Sequence, residues 1–276
     1  GTFEQEKFSG YRKAGVNRLS IGIQSFNNEQ LQNLGRIHSS DEALHAIEQA
    51  SASGFDNINL DLMHGLPGQS TEQALADLTT ALQFKPAHLS WYQLTIEPNT
   101  EFFKHPPQLP DDDDLFSIEQ QGQALLAAHG YRQYEVSAYS LAGRQCLHNL
   151  NYWRFGDYLG IGAGAHGKIT LGDQQQIIRT QKTRAPKDYM KAGADKTTAC
   201  DPIPVTAIAG EFAMNALRLN QGFSAALFER TTGLSIQSIQ AVIDEAQQAG
   251  LLEHNSQIKP TGKGRLFLND LIARFI

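Results

Sequence analysis

The chain contains 276 residues and has a mass of 30.4 kDa, which is enough for one large domain or two smaller ones. Apolar residues make up 41% and charged residues 19% of it, and this composition excludes a disordered or fibrous chain. The 23 Lys and Arg residues against 29 Asp and Glu residues give a net charge of −6, so we expect no nucleic-acid partner.

The compartment can be inferred from what the sequence contains. Its apolar runs are too short to cross a bilayer, and the chain does not open on a signal segment, so we expect no transmembrane segment. The two cysteines, Cys146 and Cys200, lie far apart in a chain too large to be a disulfide scaffold. The sequence therefore predicts a cytoplasmic protein.

The first predicted strands alternate apolar and polar side chains. Residues 18–26 form the first strand and residues 57–63 the second, whereas the third, residues 88–96, reads as apolar on both faces. In a closed parallel sheet, the apolar positions face the surrounding helices and the polar positions line an interior that can hold a ligand. We expect Gln24 and Asp61 near the carboxyl ends of their strands, where barrel enzymes build their sites.

Helices are predicted between these strands, over residues 41–53 and 70–84. The second begins with Ser70 and Gln73 in a capping-box arrangement. Strands and helices alternate along the chain, and the connections between successive strands have a length that implies a parallel sheet. The alternation of apolar and polar side chains within the first two strands favours a barrel.

A Pro-rich loop ends in the acidic run Asp111 to Asp114. We interpret this run as the start of a helix that continues to about His129, because acidic residues complement the helix dipole there, and not as a metal site. Two further strands are predicted, over residues 131–139 and 158–165.

The pattern changes near residue 200, which predicts domains at residues 1–199 and 200–276. The second reads as three helices, a hairpin through Asn255 and Ser256, and a final helix, an order typical of a small winged-helix domain. The helix in the recognition position, residues 235–249, contains no Lys or Arg, and the domain has a net charge of −1. Both features disfavour DNA binding.

Residues 162–167 match the GxGxxG pattern of dinucleotide-binding loops. The segment that follows, residues 168–173, reads as a strand and a turn, whereas the nucleotide motif needs a helix there. We therefore interpret these glycines as allowing close approach of a cofactor or a neighbouring strand.

Several residues have both a functional and a structural interpretation. Gln24, Arg36, Asp61 and His64 could bind a ligand or serve the fold alone. The densest group is the string HNLNYW at residues 148–153, which offers an imidazole, two amides and two aromatic rings. It could present an axial ligand and flat surfaces to a macrocycle, or it could be a buried histidine beside an aromatic core.

Five segments carry a family resemblance. They are residues 15–26 (GVNRLSIGIQSF), 34–38 (LGRIH), 59–67 (NLDLMHGLP), 89–99 (LSWYQLTIEPN) and 148–167 (HNLNYWRFGDYLGIGAGAHG). Together they resemble the heme chaperone HemW family, a radical S-adenosylmethionine branch similar to oxygen-independent coproporphyrinogen III oxidase. The resemblance implies an α/β fold, with a partial parallel barrel of radical SAM type followed by a helical, winged-helix-like C-terminal domain.

The resemblance also implies the cofactors and the residues that hold them. Heme, S-adenosylmethionine and a [4Fe-4S] cluster are the expected cofactors. The positions that match S-adenosylmethionine contacts are Gln24, Arg36 and Asp61, with Thr95 and Gly164 aligned less securely. The heme motif of the chaperone branch corresponds to His148, Asn149, Tyr152 and Trp153, and His148 becomes the expected iron ligand, with Cys146 or His166 as substitutes.

One departure from the family is clear. The cluster motif CxxxCxxC does not occur, and Cys146 and Cys200 cannot replace its three thiolates. We therefore expect a fragment that lacks its first three βα units, and we assign no catalytic residue.

The resemblance favours a chaperone that binds heme and delivers it to respiratory proteins. The alternative is a coproporphyrinogen III dehydrogenase that acts through radical chemistry, and a transcriptional regulator ranks third. The sequence leaves transient membrane association open.

Overall fold

A computed structural model describes residues 5–172 and 176–276. The chain forms two compact units, residues 1–145 and 146–276. The predicted domain boundary between residues 199 and 200 lies inside the second unit and stays a prediction.

From residue 5 onwards, where its description begins, the first unit combines a five-stranded sheet with six helices. Its strands are β1 (Leu19–Gln24), β2 (Ile58–His64), β3 (His88–Gln93), β4 (Arg132–Gln133) and β5 (Ala138–Ser140). Its helices are α1 (Gln5–Lys13), α2 (Asn28–Asn33), α3 (Ser40–Ala52), α4 (Thr71–Gln83), α5 (Glu101–Lys104) and α6 (Asp112–Ala128). The sheet order is β1-β2-β3-β5-β4, with β1, β2 and β3 parallel as predicted.

Local sequence signals fix the helix starts. Ser70 and Gln73 form the predicted capping box at α4, and Ser39 and Glu42 form another at α3. The Asp111 carboxylate accepts a hydrogen bond from the Asp114 backbone N–H at the start of α6. The acidic run is thus a helix N-terminus, as expected.

The two faces of the parallel sheet differ as the alternation predicts. Apolar side chains pack under α3, α4 and α6, and they include Ile21, Ile23, Leu60, Leu62, Leu89 and Trp91. The opposite face carries polar side chains from all three strands. The prediction that β3 is apolar on both faces is wrong, because His88, Ser90 and Tyr92 lie on this polar face and form hydrogen bonds there.

The single strand predicted over residues 131–139 is also wrong. The segment turns back on itself, since the backbone N–H of Tyr134 donates to the carbonyl of Ala138. The result is two short antiparallel strands, β4 and β5, and β5 pairs antiparallel with β3.

The second unit contains a three-stranded antiparallel sheet, a helical bundle and a hairpin. Its strands are β6 (His166–Leu171), β7 (Gln176–Lys182), β8 (Thr197–Pro202), β9 (Leu252–His254) and β10 (Ile258–Pro260). Its helices are α7 (Leu147–Trp153), α8 (Pro186–Lys191), α9 (Val205–Ala216), α10 (Ala225–Thr232), α11 (Gln240–Gln248), α12 (Gly262–Leu266) and α13 (Leu268–Ala273), with a 3₁₀ turn at Ile236–Ile239. The predicted hairpin is confirmed by the antiparallel pairing of β9 with β10.

The core of the second unit is built on Phe212 of α9. Its ring meets those of Phe155, Phe223 and Phe228 edge-on, with centroid distances of 5.8, 4.8 and 5.1 Å. Phe155 comes from the segment after α7, whereas the other rings belong to the helical bundle. One core therefore includes both parts of the unit.

The strand predicted over residues 158–165 is not formed. Tyr158 forms only an isolated bridge, with Lys168, and Gly162 and Gly164 take left-handed φ values of 111° and 70° that break an extended segment. Strand β6 begins within the glycine motif, at His166, which confirms that the motif opens no helix. Strands β7 and β8 and helix α8 were not predicted.

Across the described ranges, no helix combines the length and the apolar character that crossing a membrane requires.

Candidate functional site

Gln24 occupies an unusual backbone conformation at the end of β1. Its φ of 70° lies in the left-handed region, and the register between β1 and β2 shifts at Gly22 and Gln24. Such irregularities re-aim a side chain and concentrate at functional sites. Gly22 permits the arrangement, because a Cβ there would lie 2.8 Å from the Gln24 Nε2 atom.

The Gln24 amide is oriented by Tyr92 of β3. The Tyr92 hydroxyl donates a hydrogen bond of 2.7 Å to the Gln24 Oε1 atom, and the Gln24 side chain is buried. Because the oxygen of the amide is engaged, the nitrogen is the group that can donate to a ligand.

The turn after Gln24 is held from α4. The Asp77 carboxylate accepts hydrogen bonds of 2.7 Å from the Ser25 hydroxyl and from the Phe26 backbone N–H. Burial raises the pKa of Asp77 to about 6, although both hydrogen bonds act in the opposite direction.

Asp61 lies beside Gly22 in the register of β1 and β2. Its two carboxylate oxygens accept hydrogen bonds from the Ser20 hydroxyl, at 3.0 Å, and from the Asn59 side-chain amide, at 2.7 Å. The side chain is half-buried, so its outer lone pairs can accept from a ligand.

Tyr92 lies in the electrostatic field of two predicted site residues. Burial raises the pKa of Tyr92, the Asp61 carboxylate raises it further, and the Arg36 guanidinium lowers it. The Tyr92 hydroxyl thus contacts Gln24 directly, and the charges of Asp61 and Arg36 act on it in opposite directions. The sequence analysis missed Tyr92, although its alternation with Leu89 and Trp91 on β3 was an available signal.

The other predicted residues of the first unit include both exposed and buried side chains. Arg36 follows α2 and its side chain reaches solvent. The Thr95 hydroxyl, just beyond β3, donates to the Glu97 carboxylate at 3.2 Å. His64, on the apolar face, stacks on Trp91 with ring centroids 4.2 Å apart, which identifies it as a core residue and answers the question the sequence left open.

The heme-motif residues lie on α7 in the second unit. His148 is exposed, and its imidazole meets the Tyr152 ring edge-on with centroids 4.7 Å apart. Tyr152 in turn meets Tyr158 at 4.5 Å. His148 and Tyr152 are one helical turn apart on a solvent-facing side of α7. Because the His148 side chain is exposed, the buried-histidine interpretation is wrong.

The other two residues of the motif face inward. The Trp153 ring lies under the Arg218 guanidinium, 5.3 Å from its centroid, and its indole N–H is buried with no hydrogen-bond partner among the described residues. The Asn149 side chain accepts a weak hydrogen bond from the Cys146 sulfur at 3.5 Å. The Arg218 contact ties the end of α7 to the segment after α9, whereas the Cys146 contact is local to the first turn of α7.

Apolar side chains are exposed in the same unit, before and after the motif. Leu147 precedes His148 and is 79% exposed, while Leu159 and Ile161 follow Tyr158 and are 75% and 84% exposed. Exposed apolar surface of this kind commonly marks a binding site.

An ion pair between a buried lysine and an exposed aspartate anchors the loop after α7. Lys168, only 2% exposed, donates hydrogen bonds of 2.9 Å from its Nζ atom to the Phe155 carbonyl and the Asp157 carboxylate. Phe155 takes a left-handed φ of 57°. The Asp157 carboxylate also accepts from the Thr170 backbone N–H and hydroxyl, so the loop is tied to β6.

Gly164 also belongs to the second unit. Its backbone N–H donates to the Thr183 carbonyl at 2.8 Å, and Arg184 lies beside its Cα.

Comparisons with known proteins identify the family. The Radical SAM superfamily model matches residues 1–80, and the HemN C-terminal domain model matches residues 203–267. The chain is 50% identical to the heme chaperone HemW of Haemophilus influenzae and 51% identical to that of Escherichia coli, in each case over 100% of the chain and 72% of the relative. It belongs to the heme chaperone HemW family.

A more distant HemW, from Bacillus subtilis, is 34% identical over 98% of the chain and 72% of its own length. Among solved structures, coproporphyrinogen III oxidase (HemN) from Escherichia coli, described as a radical SAM enzyme, superposes with a TM-score of 0.78. That match covers 99% of the chain and 67% of the oxidase at 20% identity, so it shows the fold alone. The predicted α/β radical SAM fold with a helical C-terminal domain is confirmed.

Membership of the radical SAM superfamily implies S-adenosylmethionine and an iron–sulfur cluster. S-adenosylmethionine fits the polar side chains near Tyr92. They offer the Asp61 carboxylate as an acceptor, the Gln24 amide as a donor, and the Arg36 guanidinium. The cluster does not fit, because the described residues contain no group of three or more His, Cys, Asp and Glu side chains that could hold a metal ion.

Proposed function

We propose that the chain is a heme chaperone that binds heme at the exposed face of α7 and delivers it to respiratory proteins. The observation that carries this proposal is the His148 imidazole, exposed to solvent and packed edge-on against Tyr152. Neutral imidazole is a common axial ligand of heme iron, and an aromatic ring beside it gives a flat apolar surface to the porphyrin.

The surroundings of His148 support this role. A porphyrin is a large apolar disc, and exposed Leu147, Leu159 and Ile161 offer apolar contacts that water disfavours. Asn149 and Trp153 are half-buried and complete the proposed heme site beside His148 and Tyr152. The names of the HemW relatives, which cover the whole chain, agree with heme as cargo.

S-adenosylmethionine is the second ligand of the proposal. Gln24, Arg36 and Asp61 hold it, with Thr95 as a further contact, and the contact expected from Gly164 of the second unit stays a prediction. The Asp61 carboxylate suits amine or hydroxyl groups, and the Arg36 guanidinium and the Gln24 amide nitrogen suit a carboxylate. When bound, S-adenosylmethionine supplies the adenosyl group characteristic of the superfamily.

A heme titration followed by Soret absorbance tests the heme site. We expect saturable binding by the unchanged chain, loss of the Soret shift in His148→Ala, and binding like the unchanged chain in His45→Ala. His45 is a matched control because it is also an exposed histidine on a helix.

Two results would contradict the proposal. Equal binding by all three proteins would move the iron ligand to Cys146 or His166, and absence of saturable binding by the unchanged chain would exclude a heme site on it. Conversion of coproporphyrinogen III without heme binding would instead support the oxidase alternative.

A further inference from the structure

A buried column of polar side chains crosses the polar face of the sheet behind Asp61. His88 of β3 is fully buried, Asn59 of β2 is 2% exposed, and Tyr134, in the turn between β4 and β5, is 4% exposed. None of the three is among the residues assigned to a ligand. Their burial makes any unsatisfied donor or acceptor costly, so their hydrogen bonds are strongly constrained.

The hydrogen bonds of the column run in one direction. The Asp61 Oδ1 atom accepts from the Asn59 amide nitrogen at 2.7 Å, which leaves the Asn59 oxygen as an acceptor. The His88 Nδ1 atom lies 2.6 Å from that oxygen, so it carries the proton, and the Nε2 atom accepts from the Tyr134 hydroxyl at 2.8 Å. Each group donates to the next one towards Asp61.

His88 keeps this arrangement across the physiological range. Burial, together with a smaller effect of the Arg18 charge, lowers the pKa of His88 to about 3. The imidazole is therefore neutral, with its single proton on Nδ1. A charged imidazole would require the Tyr134 hydroxyl to accept instead of donate.

We propose that His88 is a positioning residue, which fixes the Asp61 carboxylate for its ligand by donating to Asn59. Asn59 also donates to Ser20 at 2.7 Å, and Ser20 donates to the second oxygen of Asp61. Both carboxylate oxygens are therefore held by groups that His88 orders. A carboxylate held in one orientation loses less conformational entropy when a ligand binds.

This inference rests on the proposed role of Asp61 in binding S-adenosylmethionine. Its test is the dissociation constant for S-adenosylmethionine, measured by equilibrium dialysis, together with the thermal unfolding midpoint of each variant. His88→Leu removes both hydrogen bonds, and we expect about tenfold weaker binding, the effect of one lost hydrogen bond on a charged group.

Two further variants separate positioning from stability. His88→Asn places an amide N–H near the position of the Nδ1 atom, so we expect it to bind within about threefold of the unchanged chain. His64→Leu removes a buried histidine from the other face of the sheet, where it stacks on Trp91. We expect it to alter the unfolding midpoint and to leave the dissociation constant unchanged.

Tyr134→Phe provides a nearly isosteric test if His88→Leu does not fold. We expect its binding to weaken by about threefold, because His88 then lacks the donor that fixes its ring. Long-range ¹H–¹⁵N correlation spectra of the unchanged chain should show a protonated Nδ1 and an unprotonated Nε2 for His88.

Three results would overturn the inference. Equal dissociation constants for the unchanged chain, His88→Leu and Tyr134→Phe would overturn the positioning role of His88 but not the proposed role of Asp61. A loss of affinity in His64→Leu as large as that in His88→Leu would do the same. If the unchanged chain shows no saturable binding of S-adenosylmethionine, the proposed role of Asp61 fails and the inference fails with it.

Discussion

The Asp77 carboxylate accepts a hydrogen bond of 2.7 Å from the Ser25 hydroxyl, across 52 positions of sequence. This contact joins α4 to the turn that follows Gln24. The carboxyl is nevertheless in an unfavourable environment for its charge, because burial raises its pKa from 3.8 to about 6.

Asp77→Asn should remove a pH-dependent cost of folding. The folded state binds the proton more tightly than the unfolded state, so the contribution of this group to the free energy of unfolding falls by about 2 kcal/mol as pH rises from 4 to 7. The amide oxygen can still accept from Phe26, and the amide nitrogen can donate to Ser25. Measured by urea unfolding at pH 4, 5.5 and 7, the stability of Asp77→Asn relative to the unchanged chain should therefore rise by that amount with pH.

Asp41→Asn is the control for this comparison, because Asp41 is exposed on α3. We expect it to leave the pH dependence as it is. A difference in stability between Asp77→Asn and the unchanged chain that stays constant with pH would contradict the prediction.

His64 should make the fold sensitive to acid. Burial lowers the pKa of His64 from 6.5 to about 4, so the unfolded state binds more protons between these values and stability falls as pH falls. The expected loss from this residue is about 2 kcal/mol between pH 7 and pH 5. In urea unfolding, His64→Leu should lose about 2 kcal/mol less of its free energy of unfolding between pH 7 and pH 5 than the unchanged chain does. His45→Leu should behave like the unchanged chain. An undiminished loss in His64→Leu would be inconsistent with a neutral buried imidazole.

Tyr92→Phe should weaken S-adenosylmethionine binding. The variant removes the hydroxyl that orients the Gln24 amide, and loss of one neutral hydrogen bond corresponds to about three- to tenfold in affinity. Equilibrium dialysis measures the effect. Tyr131→Phe removes a hydroxyl that donates to the Pro86 carbonyl and should affect stability only. Equal affinities of the unchanged chain and Tyr92→Phe would exclude a role for this hydroxyl.

Gly156→Ala should disturb the end of α7. A Cβ at this position would lie 2.9 Å from the backbone oxygen of Asn151 and would overlap the side-chain oxygen of the same residue. We expect a lower unfolding midpoint and weaker heme binding, by calorimetry and Soret titration. Gly172→Ala, where a Cβ meets nothing within 4 Å, should change neither. Unchanged heme affinity in a destabilised Gly156→Ala would show that α7 tolerates movement without loss of the site.

The parallel strands and their helices could be predicted because each carries a local signal. The alternation of Ile21 and Ile23 with polar neighbours marks β1, and Ser70 marks the start of α4. Strand β7 has no comparable signal, since apolar Ile177 and Ile178 are adjacent and the rest of the strand is polar. Its pairing with β6 and β8 comes from contacts between distant segments.

The candidate site was only partly predictable for a related reason. The motifs name Gln24, Asp61 and His148, but they do not indicate which neighbours hold them. Tyr92 and His88 look like ordinary strand residues until the register of β2 and β3 places them on the polar face. Their roles depend on hydrogen bonds between strands, which no spacing along the chain reveals.

The packing of Phe155 on Phe212 has a consequence for how the second unit unfolds. Phe155 follows the heme motif, and Phe212 lies in the centre of the C-terminal helices. Because neither segment can leave this core without exposing the other, we expect the amide protons of β6 and α9 to exchange with solvent through one common opening event. Heme that binds to α7 and stabilises it would then slow amide hydrogen exchange as far away as α10. Heme binding would be detectable at amides that do not contact the porphyrin.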